Sequence, residues 1–169
     1  YPPVKLTDSE LQILKAEAEY NYSTVVSRLK ESLHPGEKIS VYLYPSGESK
    51  HRFIGTSNTN IAKPWRKEIH LTLDSFDDTF RHELVHVLAA NIGLPVVRAS
   101  ARMGLNEGLA TAIDWNWGEF SPHEYSAALQ REKLLGDPEE LFAYTGFATQ
   151  QSSYAYIVTG SISRYLIDR

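Results

Sequence analysis

The chain contains no cysteine, which excludes both disulfides and thiolate-bound metals. That absence leaves the compartment open, since a secreted bacterial domain can also lack disulfides. Positive charge is not in excess: 17 lysines and arginines stand against 21 acids, for a formal charge of -4 and a pI near 5.9. Acids and bases are interspersed, so no basic face offers itself to a phosphate backbone, and nucleic acid is not an expected partner. Long apolar runs are missing as well. The richest, LVHVLAANIGLPVV from position 84, holds a histidine and a Gly/Pro break and falls short of the roughly 20 apolar residues a membrane span needs. There is no internal repeat, low-complexity tract or interdomain linker. The first residue is Tyr1, with no basic segment leading into an apolar stretch, and SISRYLIDR ends inside a helical pattern without a capping glycine. Both ends are those expected of an excerpt from a longer protein.

What is present is ordinary for a globular chain. With 169 residues, 42% hydrophobic and 22% charged, it is expected to form a single domain over 1–169 with a sizeable core. Residues 1–74 are expected to supply a helix and a sheet, and residues 75–169 the helices that carry the site.

Periodicity sets the element order. Leu11, Leu14, Ala18, Tyr22, Val25 and Leu29 recur at helical spacing behind an acidic start, which predicts one long amphipathic helix. HPGEK breaks it, and ISVYLYPS follows as a β-branched and aromatic strand. HRFIGT reads as a weaker second strand. In KEIHLTL, Ile69, Leu71 and Leu73 alternate with His70 and Thr72, a half-buried strand by period. From DSFDDTF the period becomes helical, with Phe76, Phe80, Leu84 and Leu88 on one face, Asp74 or Ser75 as N-cap, and Gly93-Leu94-Pro95 as the stop. Further helices are expected near 103–115, 121–135 and 151–168, with a short one in LGDPEELF. Strands first and helices afterwards predict an α+β fold.

The stretch RHELVH, positions 81–86, sits on that first C-terminal helix. His82 and His86 are four apart and so one turn apart on one side. Ser75, Thr79, His82, Glu83, His86 and Ala90 form a face distinct from the apolar one, so the helix can bury one side and present the histidines on another. Two imidazoles at this spacing suit one ion, with Glu83 displaced from the metal but able to reach a water. Zinc that keeps an open position needs a third protein ligand. Glu107, in LNEGLATAID, lies far enough along for a second helix to cross the first. Gly108 and Ala110 are small enough to let the two approach.

HELVH followed by NEGLA resembles the gluzincin metallopeptidases, and most closely their small bacterial peptidase-like domains. The resemblance spans about residues 68–168. With six histidines in the chain, HExxH alone arises in roughly one shuffled sequence in a hundred; NEGLA at a suitable distance makes coincidence rarer. The resemblance implies a zincin-like fold, with a small mixed sheet on the active-site helix and a mostly helical C-terminal part. It implies Zn2+ held by His82, His86 and Glu107, with Glu83 as general base. YIVTGSISRYL, positions 156–166, resembles the helix that follows the ligand glutamate in that family, where a tyrosine hydrogen-bonds the oxyanion. Tyr156 matches that position and Tyr154 is the alternative. EIHLTL would be the edge strand that pairs with an extended substrate.

Two departures qualify the match. Thr111 stands where thermolysin-type enzymes have an aspartate that orients a zinc histidine, and Asp114, seven positions after Glu107, is the substitute for that second-shell role. The glycine-methionine-glutamate-asparagine element of the aminopeptidase branch is missing, which disfavours an aminopeptidase. The implied activity is hydrolysis of peptide bonds in a peptide or protein substrate, as an endopeptidase, by a secreted or cell-surface protein. The alternatives are a catalytically silent zincin-like binding or scaffold module and a zinc hydrolase of some other amide or ester. Oligomeric state is not readable. Loops 55–66, 93–104 and 115–123 are expected to line the pockets; the aromatic DWNWGEFSPHEY reads equally as a substrate wall or a packed loop. Arg98, Arg102 and Arg164 are candidate carboxylate partners or, more simply, surface residues.

Overall fold

The computed structural model describes residues 5–90, 103–115, 117–143, 146–147 and 152–169. They belong to an α+β chain that divides into two compact units, residues 1–98 and 99–169.

The first unit opens on α1, Asp8–Leu29, the long helix expected from its spacing. A reciprocal cap starts it: the Thr7 hydroxyl accepts the Glu10 N–H at 3.3 Å, and the Glu10 carboxylate accepts the Thr7 N–H at 2.7 Å. β1 is Ser40–Tyr44. HRFIGT, expected as a strand, is instead the end of a helix, α2, Gly47–Ile54. Its caps explain the outcome. The Ser46 side chain accepts the Ser49 N–H at 3.2 Å, and Gly55 closes the helix at φ 81. Together these outweigh the strand preference of Phe53 and Ile54.

β2 is only Ile61–Lys63, too short to show a period. A single 3₁₀ turn, Pro64–Arg66, leads into β3, Glu68–Thr72. The sheet order is β1-β3-β2, with β3 parallel to β1 and antiparallel to β2. EIHLTL is therefore the central strand, and the expectation that it forms the edge is overturned. The half-buried reading also fails, because all five residues of β3 are buried. Ile69 and Leu71, both fully buried, contribute about 1.5–3 kcal/mol each. The alternate residues Glu68, His70 and Thr72 are covered too, on the face where Phe53 of α2 packs against Tyr44. α3, Phe76–Ala89, packs on β3 and β2, and α1 packs on α3. The expected stop at Gly93-Leu94-Pro95 lies outside the described residues.

The second unit is helical: α4 Met103–Asp114, α5 Pro122–Arg131, α6 Pro138–Phe142 and α7 Ser152–Ile167. α5 is shorter than the 121–135 expected. It starts on a second reciprocal cap, Ser121 with Glu124, and has proline in its first turn. Leu141, Phe147, Ala155 and Val158 form the core beside α7. α4 and α7 lie close because a Cβ at Gly108 would sit 2.8 Å from both the Thr159 carbonyl oxygen and Ser163 Oγ. Among the described residues no helix is long and apolar enough to cross a membrane.

Candidate metal centre

α3 separates its faces as its spacing requires. Phe76, Phe80, Leu84 and Leu88 are at most 3% exposed. His82 and His86 are half-buried, their ring centres 4.9 Å apart and nearly perpendicular. Glu83 is buried at 7% exposure. Asp77 and Asp78 lie in the first turn, the favoured sign for the helix dipole. Ser75 occupies the N-cap position without capping. Its hydroxyl instead lies 3.0 Å from the Thr72 carbonyl oxygen and 3.2 Å from Asn60 Oδ1.

Glu107, half-buried on α4, completes a group with the histidines. One ligand atom from each of His82, His86 and Glu107 can be chosen so that all lie within 4.8 Å of one another. Two ligand atoms on a tetrahedral ion with bonds of about 2.1 Å are about 3.4 Å apart. The group could hold a metal ion, and it is the one group of three such side chains found among the described residues.

Gly108, beside Glu107, serves a different contact from the one expected. Gly108 accommodates Thr159 and Ser163 of α7, and Ala110 is fully buried. Thr111 is also used in this packing, since its side chain fills the space beside Gly160 and is 2% exposed. An aspartate there would bury a charge between α4 and α7. Asp114 ends α4, half-buried, and seven helical residues place it on the Glu107 side.

The two tyrosines on α7 are distinguishable. The Tyr154 hydroxyl accepts the Gly136 N–H at 2.8 Å, so it already has a structural task. Tyr156 is half-buried, its ring stacked on Trp117 at 5.9 Å and edge-on to Phe147 at 5.1 Å. The aromatic loop packs within its own unit: Trp115 meets His123 at 4.9 Å, and Phe120 meets Tyr125 at 5.6 Å. Arg164 lies over the Trp115 ring and donates to the Ala112 carbonyl and to Asp168. It is a structural residue. His123 Nδ1 is 2.7 Å from Ser161 Oγ, and His51 is exposed on α2. Arg98, Arg102 and most of the 93–104 loop lie outside the described residues.

Two of the buried polar side chains lie outside the candidate metal group. His70 is 4% exposed, with Nδ1 3.0 Å from the Tyr44 hydroxyl and Nε2 3.4 Å from Glu68 Oε2. Burial first, and then Lys63, pull its pKa down, against the hydrogen bond it donates to Glu68. Lys50 is 1% exposed, and nothing in GESKHRFI marks it as interior. Comparison with known proteins adds no relative: no family model, curated protein or solved structure matches the chain.

Proposed function

We propose that the chain is a zincin-like, zinc-dependent hydrolase of peptide bonds with gluzincin-type ligands His82, His86 and Glu107. The observation that carries this reading is the 4.8 Å grouping of two imidazoles and a carboxylate. Its donor chemistry suits zinc: nitrogen and oxygen ligands, three from the protein, with one position of a tetrahedron left for water or substrate. When bound, the ion supplies Lewis acidity, making a water more acidic and polarising a carbonyl.

The chain's own groups perform the rest. Glu83, next to the ligand His82, takes the proton from the attacking water and returns it to the leaving amine. Its burial suits proton transfer, because a carboxylate shielded from bulk water keeps the proton it accepts close to the reaction. Tyr156 donates to the developing oxyanion. Tyr154, already held by Gly136, is the weaker candidate for that task. Asp114 orients a ligand histidine from the end of α4. An extended substrate would pair with β2, the strand that is antiparallel to β3 and packed against α3.

The test is Glu83→Gln. The variant should fold and bind one zinc per chain while losing cleavage of a denatured-protein substrate by at least about a hundredfold. Full cleavage by the variant removes Glu83 as base. Wild-type protein that binds stoichiometric zinc and cleaves nothing is a silent binding module instead.

A further inference from the structure

The loop between α4 and α5 places two tryptophans against α7. Trp115 follows the last residue of α4 at φ 57, its N–H still bonded to the Thr111 carbonyl at 2.8 Å. A bulky side chain on left-handed backbone is strained, and such strain persists only where the surroundings hold it. Here α7 and α5 do so. The Arg164 guanidinium lies 4.7 Å from the centre of the Trp115 ring and also donates to the Ala112 carbonyl at 3.0 Å. His123 meets the same indole edge-on at 4.9 Å. Gly118 makes the next bend, at φ 87, a conformation that suits glycine.

Trp117 stands between these two bends and is carried onto Tyr156, with ring centres 5.9 Å apart and planes 26° from parallel. Phe147, buried in the core beside α7, meets that tyrosine ring edge-on at 5.1 Å. Rotation about the Cα–Cβ bond of a tyrosine is limited by whatever its ring would strike. Phe147 bounds it from the core and Trp117 from the loop. Tyr156 and Arg164 are eight residues apart, so the loop grips α7 at points about two turns apart.

We propose that Trp117 is a positioning residue for Tyr156: together with Phe147 it holds the phenol ring in one rotamer before substrate arrives. That the phenol donates to an oxyanion rests on the hydrolase reading above. The holding of the ring does not.

The ring is read first, by NMR of the intact 169-residue chain. Three-bond couplings across the Tyr156 Cα–Cβ bond should report one rotamer in the wild type and averaging over two or more in Trp117→Met, which keeps apolar bulk without a planar face. Trp117→Phe should restore the single rotamer. A single rotamer in Trp117→Met overturns the proposal. Should that variant fail to fold, the wild type decides alone: averaged couplings overturn the proposal, and one rotamer with through-space signals between the two rings upholds it.

In zinc-loaded protein, Trp117→Met should lower kcat about tenfold with KM and zinc content kept, and Trp117→Phe should recover most of that loss. In a Tyr156→Phe background the same change should lower kcat by less than about twofold, since the hydroxyl it acts through is already gone. An equal loss in both backgrounds, or no loss in either, overturns the positioning role. A wild-type chain that holds one Tyr156 rotamer yet cleaves nothing would end the hydrolase reading and leave the ring contact standing.

Discussion

Replacing Glu107 by glutamine tests the ligand set without asking for catalysis. The change keeps the shape of a half-buried side chain on α4 and removes its charge, so the folded chain should change stability by no more than about 0.5 kcal/mol. Its effect on zinc should be larger. Disturbing a group that only supports a ligand weakens binding about 10–100-fold, and losing the anionic ligand itself should reach at least the upper figure. Differential scanning fluorimetry converts that factor into temperature. At free zinc equal to 100 times the wild-type Kd, binding stabilises the wild type by about 2.7 kcal/mol. For a chain of this size that raises Tm by about 5–11 °C. In the variant the same zinc only equals Kd, giving RT ln 2, about 0.4 kcal/mol, and a rise of about 1–2 °C. Glu119→Gln, at an exposed carboxylate, should leave the full wild-type shift. A Glu107→Gln protein that shows the full wild-type shift refutes the ligand set and the hydrolase reading with it.

Three further outcomes separate structural from chemical roles. Tyr156→Phe should lower kcat about 10²–10³-fold with zinc binding intact, whereas Tyr154→Phe should leave kcat alone and cost at most about 1 kcal/mol from the lost Gly136 bond; the reverse pattern in steady-state kinetics would exchange the two. Gly104→Ala should destabilise by about 1–3 kcal/mol in urea, because a Cβ there runs into the Leu141 carbonyl; an unchanged midpoint would refute that packing. His70 has a folded pKa below the ordinary histidine value of 6.5, through burial first and then Lys63. Its contribution is therefore fully present above that value and is lost as pH falls below it, since the unfolded chain then binds the proton more readily. His70→Gln should flatten the fall in stability between about pH 7.5 and pH 5, and an unaltered slope would show that His70 is not its source.

The sequence is most legible where structure is local. α1, α3, α4 and α7 each repeat apolar residues at helical spacing over three or more turns, and the pairing of His82 with His86 follows from one turn of α3. Thr7–Glu10 and Ser121–Glu124 are caps written in four residues. Legibility fails where the deciding partner is distant. Phe53 and Ile54 favour a strand by type, yet Ser46 and Gly55 cap them into α2. Ile69 and Leu71 alternating with His70 and Thr72 suggested one wet face; α2, elsewhere in the chain, covers it. The place of β3 between β1 and β2 depends on pairings that no window of sequence contains. Glu107 is singled out by its distance from His86, by its small neighbours and by likeness to a family pattern rather than by any period.

The polar residues missed in this way are not scattered. Glu68, His70 and Thr72 share one face of β3, and Ser49 and Lys50 enter from α2, all at 9% exposure or less. Each buried polar group costs free energy unless it is bonded, and here the bonds are made: Tyr44 to His70, His70 to Glu68, Glu68 to Arg66, Lys50 to Asn60 and Ser75 to Thr72. An apolar filling of the same space would tolerate small shifts of α2 and α3 against the sheet, whereas directional bonds at about 3 Å do not. The Asn60–Ser75 contact brings the bonds of Lys50 and Thr72 to the N-cap of α3, two turns before His82. A candidate ligand helix is thereby located by apolar packing on one side and by hydrogen bonds at its N-terminal end, which is the order that placing two imidazoles within a few tenths of an ångström requires.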